Sequence, residues 1–432
     1  MKNKIKKCLA LLLISAISIS CVGCGVGSDH VVKAAMPKED ASDENNLKSW
    51  IEKGREFSTT EFENKTIAEF LSGGENKVYS PVNVFIALSM LAEACNGETQ
   101  EEILSLLGSK DTQALRQKAQ AMWNANYLDD EKATKIANSL WLNEQISFRE
   151  DLLDTYAKEY YASTFFGKMG TNEMDTLLRD WVNENTGHRL EKEVSSLKTA
   201  SDTLVEILST IFFRAQWTEE CKFDETFTMD RAFSGKNGTR TVKMMTNNLV
   251  GEIYETDKYA ECELDLTQGK MCFFKPKFGV DIDDILKNGG VTEALHRHDK
   301  GATKTGRSWS QEIHWNVPKF EIHSDLQLVD GLEKLGISKV FSQGKADLSN
   351  LIPQDEVEKK GLAPYVNRIK HDAMVKIDEE GVTAAAFTEI AAAEGAAPEP
   401  DPIYEFILDK PFIYAIVGND GSLLFVGTVY DI

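Results

Sequence analysis

Residues 379–402, EEGVTAAAFTEIAAAEGAAPEPDP, constrain the fold of this chain more than any other segment. They join one apolar, strand-like run, Ala373–Asp378, to another, Pro411–Gly418, and contain no Lys or Arg. Irregular connections longer than about 15 residues are uncommon inside a compact domain and mark either function or disorder. A plain linker would show no order in its polarity. Here Val382, Ala384, Ala386, Thr388, Ile390 and Ala392 are small or apolar at every second position, and only Thr388 adds a hydroxyl. In an extended backbone these side chains share one face. The segment thus carries the pattern of a β-strand that could bury one side, with side chains small enough to pass between existing strands. Gly381 supplies a hinge without a Cβ at its start.

The rest of the chain can build a large core, since 42% of its 432 residues are hydrophobic. The formal charge is −21, from 48 basic and 69 acidic residues. Such a surface repels nucleic-acid phosphates and gives no attraction to anionic lipid. No nucleic-acid partner is expected.

MKNKIKK is a basic start, and Cys8–Ser20 is an apolar run of 13 residues. That is too short to span a bilayer, which takes about 20 residues, and it suits an export signal. A small residue directly before a Cys follows, which resembles a bacterial lipobox. Cys24 after Val22-Gly23 fits best, and Cys21 after Ile19-Ser20 is the rival. Residues 1–24 read as a lipoprotein-type signal peptide, 25–46 as a flexible acidic tether and 47–432 as one domain. The protein is expected outside the cell, held to the membrane only by its lipid. Cys95, Cys221, Cys262 and Cys272 lie in or beside apolar runs and read as buried thiols; a Cys262–Cys272 disulfide across a hairpin is the alternative.

Helical patterns come first and strands later. Ser80-Pro81 opens a helix over Val82–Cys95, and Glu98–Leu107, Phe148–Tyr161 and Asp175–Asn185 follow. Leu204–Arg214 is nearly continuously apolar, as a central strand covered on both faces would be. Strands are expected at Thr241–Met245, Gly251–Glu255, Ala260–Leu266, Met271–Pro276 and Ile313–Ile322. Phe412–Val417 and Leu423–Val429 form a closing hairpin around Asn419-Asp420-Gly421. Without βαβ alternation the class is α+β with large, mostly antiparallel sheets.

The sequence has no GxSxG, HExxH or P-loop. His296 and His298 could meet a metal, but no Cys or carboxylate spacing supports one and they read as surface histidines. Neither a catalytic residue, a metal nor a cofactor is expected.

EEGVTAAAFTEI resembles the hinge of the serpins, whose pattern is Glu-Glu-Gly-Thr-Glu-Ala-Ala-Ala-x-Thr. NKVYSPVNVFIALSMLAEACNGETQEEIL, NSLWL, WVNENTG, LSTIFFRAQW, VPKFEI, LEKLGI, IKHDAMVKIDEEG and DKPFIYAIVGNDGSLLFVGTV resemble further blocks of that family, in order, over about residues 50–432. The resemblance implies the serpin fold, with about eight or nine helices and an exposed reactive-centre loop. It implies an inhibitor rather than an enzyme: a monomer that a serine protease cuts as a suicide substrate, forming an acyl-enzyme before the loop inserts as a new strand. The hinge residues implied are Glu379, Glu380, Gly381, Val382, Thr383, Ala384, Ala385, Ala386 and Thr388. Family spacing puts the cut bond at Gly395–Ala396, with Ala393, Glu394 and Ala397 as neighbours, because the loop is longer than usual on its far side. Small residues and the lack of Lys and Arg suit elastase-like or subtilisin-like proteases. Val382 departs from the usual Thr or Ser but is β-prone and apolar. Asn83 and Ser209 stand where the family has Ser and Asn; with Ser80 and His371 they could form a polar cluster where the sheet opens. A serpin fold kept as a non-inhibitory surface binding protein is the alternative function.

Overall fold

The computed structural model describes residues 31–36, 44–127, 134–188, 191–299, 305–382 and 403–432. Helices crowd the first half. Glu44–Arg55 and Thr60–Leu71 are separate helices, because Ser58-Thr59 breaks the run. Pro81–Ala94 starts at Ser80, whose Oγ accepts the Asn83 N–H at 3.3 Å. That is the capping role the Ser-Pro pair suggests. Thr112–Asn126, whose pattern is not singled out by the sequence reading, is capped by Asp111 accepting from Ala114 N. Seven helices have ten residues or more and five are shorter among the described residues, so the expected eight or nine falls between the two ways of counting.

Most strands pair antiparallel; Thr134–Asn143 with Ala162–Gly167 and Arg307–Pro318 with Tyr404–Ile407 are parallel. A nine-stranded sheet forms the back of the molecule. It includes Gly238–Glu255, one 18-residue strand where two shorter ones are read, and the closing hairpin Phe412–Val417/Leu423–Val429 at the expected bounds. The run read as one strand over 313–322 is two strands, Arg307–Pro318 and Phe320–Gln327, in different sheets. Pro318 has no N–H to continue a ladder, and the chain changes sheets after it.

The front of the molecule holds two four-stranded sheets. One has the order Val31–Val32, Ala162–Gly167, Thr134–Asn143, Val205–Phe213. The other has the order Phe320–Gln327, Lys370–Asp378, Gly381–Val382, Ala215–Gln216. Val31–Val32 lies inside the stretch read as a tether. Two β-branched residues there meet the open edge of Ala162–Gly167 and pair with Phe165 and Thr164. The Pro81–Ala94 helix lies beneath this front layer, with 13 of its 14 residues buried. The Asn172–Asn185 helix covers the outer face through Met174, Leu178 and Val182, packed with Trp141 and Phe165.

Near its C-terminal end the Pro81–Ala94 helix is tied to its neighbours by a charge. The Glu93 carboxylate, 4% exposed, takes both Arg116 Nε at 2.6 Å and Arg116 Nη2 at 2.7 Å, and the Tyr160 hydroxyl donates to it at 3.1 Å. Removing one partner of such a pair leaves a buried charge uncompensated. Arg116→Ala is expected to lower stability by about 2–3 kcal/mol, read from the urea unfolding midpoint, and adding Glu93→Gln should recover most of the loss.

Candidate functional site

The two front sheets face each other across a gap. Val205–Phe213 pairs along its length with Thr134–Asn143, from Thr134↔Phe213 to Leu142↔Val205. Lys370–Asp378 pairs with Phe320–Gln327, from Phe320↔Ile377 to Gln327↔Lys370. Among the described residues neither strand has a ladder partner on the side facing the gap, except at the end of Lys370–Asp378. Val205–Phe213 is therefore an inner edge, not the covered central strand its apolar run suggests. Its residues from Val205 to Ser209 are only half-buried.

At one end, the hinge spans the gap. Gly381 and Val382 pair with Asp378 and Ile377 on one side and with Gln216 and Ala215 on the other. These two residues already sit as the first rung of an inserted strand. Gly381 has φ 140°, and a Cβ there would lie 2.4 Å from the Ala215 carbonyl oxygen. Only glycine combines this torsion with so close an approach. Val382 is 1% exposed, so the departure from Thr or Ser buries a methyl pair in an apolar place.

Three anchors fix the hinge. Trp217, fully buried, donates its backbone N–H to Glu380 O at 3.1 Å and its indole N–H to Asp378 O at 3.0 Å. Glu379 takes the Lys319 ammonium at 2.6 Å and the Thr228 hydroxyl at 2.8 Å. Burial works to raise the Glu379 carboxyl, but Lys319 and Thr228 outweigh it and hold it below the usual carboxylate range. Asp378 accepts the Glu380 N–H at 3.1 Å.

The floor of the gap is a cavity of about 70 Å³ lined by Asn83, Leu88, Ile207, Ser209, Ile369 and His371, among others. Ser80 N–H donates to His371 Nε2 at 3.0 Å, which leaves the proton of the neutral ring on Nδ1. Burial pushes this imidazole down to about 4. Asn83 Nδ2 and Ser209 Oγ are buried and have no hydrogen-bond partner among the described residues. The structure thus brings Ser80, Asn83, Ser209 and His371 together under the opening, with two polar atoms left unsatisfied, which is costly unless a further group arrives.

At the far end of the gap, Arg368 Nη2 reaches Glu206 Oε1 at 2.9 Å. Glu206 belongs to one wall and Arg368 lies two residues before the other, so the pair closes the gap where the hinge does not. Burial raises the Glu206 carboxyl against the pull of Arg368. Sequence reasoning does not pick out this pair, Trp217 or Lys319. A lone acid in the apolar run LVEILSTIFF is the available signal for Glu206; Trp217 and Lys319 stand inside quoted motifs without a role.

Other expectations fall elsewhere. Thr383, Ala384, Ala385, Ala386, Thr388 and all of Ala393–Ala397, like Cys21 and Cys24, lie outside the described residues. Cys95, Cys221, Cys262 and Cys272 are free and buried. Cys262 pairs with Phe273 and Cys272 with Glu263, so neighbouring pleats point the two thiols to opposite faces and no disulfide joins them. His296 meets Glu63 and Asp299, whereas His298 meets Glu252. Glu261, Glu263 and Cys272 lie close enough to share an ion, yet Arg297 is 3.0 Å from Glu261 and Lys270 is 2.5 Å from Glu263. These cations already balance the acids in a buried ion-pair network.

The chain as a whole is similar to known proteins in sequence and in fold. The chain is 29% identical to Serpin A3-8 of Bos taurus over 82% of each chain. It is 25% identical to a serpin-like protein of Methanosarcina acetivorans, covering 98% of this chain and 97% of the relative. Its fold is similar to the native state of the thermophilic serpin tengpin, with TM-score 0.74 at 22% identity, over 93% of this chain and 98% of that one. The family model for "Serpin (serine protease inhibitor)" matches residues 58–432. A match over most of the chain, with the same sheet architecture, places this protein in the serpin family of serine protease inhibitors.

Proposed function

We propose that this protein traps a serine protease by suicide inhibition: the protease cuts the 383–402 segment, forms an acyl-enzyme, and is carried off as the segment enters the gap. The observation that carries this reading is the first rung, Gly381–Val382, already seated between two walls whose facing edges have no other ladder partner among the described residues.

Extending that rung in register makes the reading specific. Two-residue steps from Val382 would set Ala384 between Phe213 and Val375, and Ala386 between Ile211 and Ala373. Thr388 would then stand between Ser209 and His371, directly over the polar atoms that lack partners. Ile390 would face the apolar cavity between Ile207 and Ile369. Ala391 would fall level with both Glu206 and Arg368, and the meeting of those two residues across the gap agrees with the extended register. Insertion must displace that pair. The driving force is a completed ladder on both new edges together with burial of the alternating face.

The cut falls at Gly395–Ala396 in this proposal, and the targets are elastase-like or subtilisin-like, since the loop has small residues and no Lys or Arg. The protein acts as a monomer outside the cell, attached through an acylated Cys24.

Incubation with an elastase and with a subtilisin should give a protease adduct that survives a denaturing gel, and a released peptide beginning at Ala396. The nicked protein should resist heat far better than the intact one. Ala386→Glu, which puts a charge on the inserting face, should be cut as fast but yield no adduct. A wild-type chain that is cleaved without adduct or heat resistance would instead mark a non-inhibitory member. Arg368→Ala should speed insertion two- to fivefold, because a partly exposed pair is worth about 0.5–1 kcal/mol. The measure is the fraction of cleaved inhibitor that fails to trap, which should fall.

The buried His371 makes the intact state sensitive to acid. Its folded-state value lies near 4 and its unfolded value near 6.5. The unfolded chain therefore takes up the proton first, and stability present above pH 6.5 is lost as pH falls toward 4. The loss attributable to His371 is about 3 kcal/mol. Urea midpoints between pH 7 and 4.5 should fall less steeply in His371→Asn than in the wild type.

A further inference from the structure

We infer that the Val31–Val32 strand is a fixed mount that sets this protein on the bilayer with its hinge end, Gly381–Val382, facing away from the membrane. The inference rests on acylation of Cys24, proposed above, and adds which end of the molecule faces the lipid.

The argument begins with strand direction. Val205–Phe213 runs toward the hinge, since Ala215–Gln216, just after it, pairs with Gly381–Val382. Thr134–Asn143 is antiparallel to it and runs away from the hinge. Ala162–Gly167 is parallel to Thr134–Asn143, and Val31–Val32 is antiparallel to Ala162–Gly167. The N-terminal strand therefore runs toward the hinge, and the chain before Val31 arrives from the opposite end.

Register gives the height. Val31 stands opposite Phe165, Phe165 opposite Trp141, and Trp141 opposite Glu206. Glu206 is the second residue of its strand, and Ala215 lies nine residues further on. The hinge is thus about 30 Å above the level of Val31. Cys24 is seven residue steps from Val31, so the acylated thiol can lie at most about 25 Å from it. With Cys21 acylated the limit is about 35 Å.

The strand is held by more than its two residues. Ala35 N–H donates to Ala157 O at 2.9 Å and Ala34 N–H to Ser163 Oγ at 3.4 Å. Val31 also packs on the cluster that holds Trp141 and Phe165. Were this segment unpaired, the first tied element would be the helix at Glu44. A 20-residue leash reaching about 70 Å would then let either end of the molecule meet the lipid. The net charge of −21 also removes any electrostatic pull that would lay the protein flat on an anionic surface.

The test uses the full chain exported by a lipoprotein-processing host and reconstituted into phosphatidylcholine vesicles with an acceptor dye in the headgroups. Mass spectrometry of its N-terminal peptide reads acylation. A donor dye goes on a cysteine replacing exposed Glu144, just past the far end of Thr134–Asn143, or exposed Glu225, beside the hinge anchor Thr228. With Cys24 acylated, energy transfer should be several-fold greater from position 144 than from 225. Val31→Pro with Val32→Pro should abolish the difference while leaving acylation intact. Equal transfer from both positions in the wild-type acylated chain overturns the mount and leaves the anchor standing. An unacylated N-terminal peptide overturns the anchor, and the mount with it.

Discussion

Two strand edges that face each other without exchanging hydrogen bonds set the terms for this structure. A row of unpaired N–H and C=O groups is a ready template for another strand. Most proteins place such edges at the rim of a sheet and blunt them. Here both edges are internal, walled by a buried helix beneath and an amphipathic helix above, and wedged at one end by Gly381–Val382. The remaining anchors serve this arrangement. Trp217, Lys319 and Thr228 hold the wedge at its first rung, and Glu206–Arg368 closes the opposite end.

The floor follows from the same constraint. A fully apolar cavity would favour collapse of the walls onto each other. Ser80, Asn83, Ser209 and His371 instead line the gap with polar atoms that the present state only partly satisfies. Their unmet bonding capacity lies on the strand path that the hinge begins. Asn83 on the floor helix and Ser209 on a wall strand place one amide and one hydroxyl at the opening.

Much of this was legible before any coordinates. Alternation in Val382–Ala392 marks a strand by its period alone, and the Ser80-Pro81 start, the closing hairpin and the run LVEILSTIFF carry strong local signals. The run also misleads, since its apolar character suits a central strand covered on both faces, whereas Val205–Ser209 are only half-buried beside the gap. Local pattern describes the strand but not which partners are present. Val31–Val32 escaped for a related reason: two residues are too few for a period, and only the open edge of Ala162–Gly167 gives them a partner. Glu206–Arg368 and the Lys319–Glu379–Thr228 anchor join residues far apart in sequence, and no spacing rule connects them.

The placement of the thiols has a consequence of its own. Cys262 and Cys272 lie on adjacent strands yet point to opposite faces, and Cys95 and Cys221 are free and buried as well. Burial pushes the Cys95, Cys262 and Cys272 thiols far above their ordinary range, so they hold little reactive thiolate. An oxidising milieu can neither cross-link the Cys262–Cys272 pair nor readily modify these sulfurs. Oxidation of these three thiols is thus no means of locking the gap, and in the mechanism proposed above the trigger is a cut peptide bond.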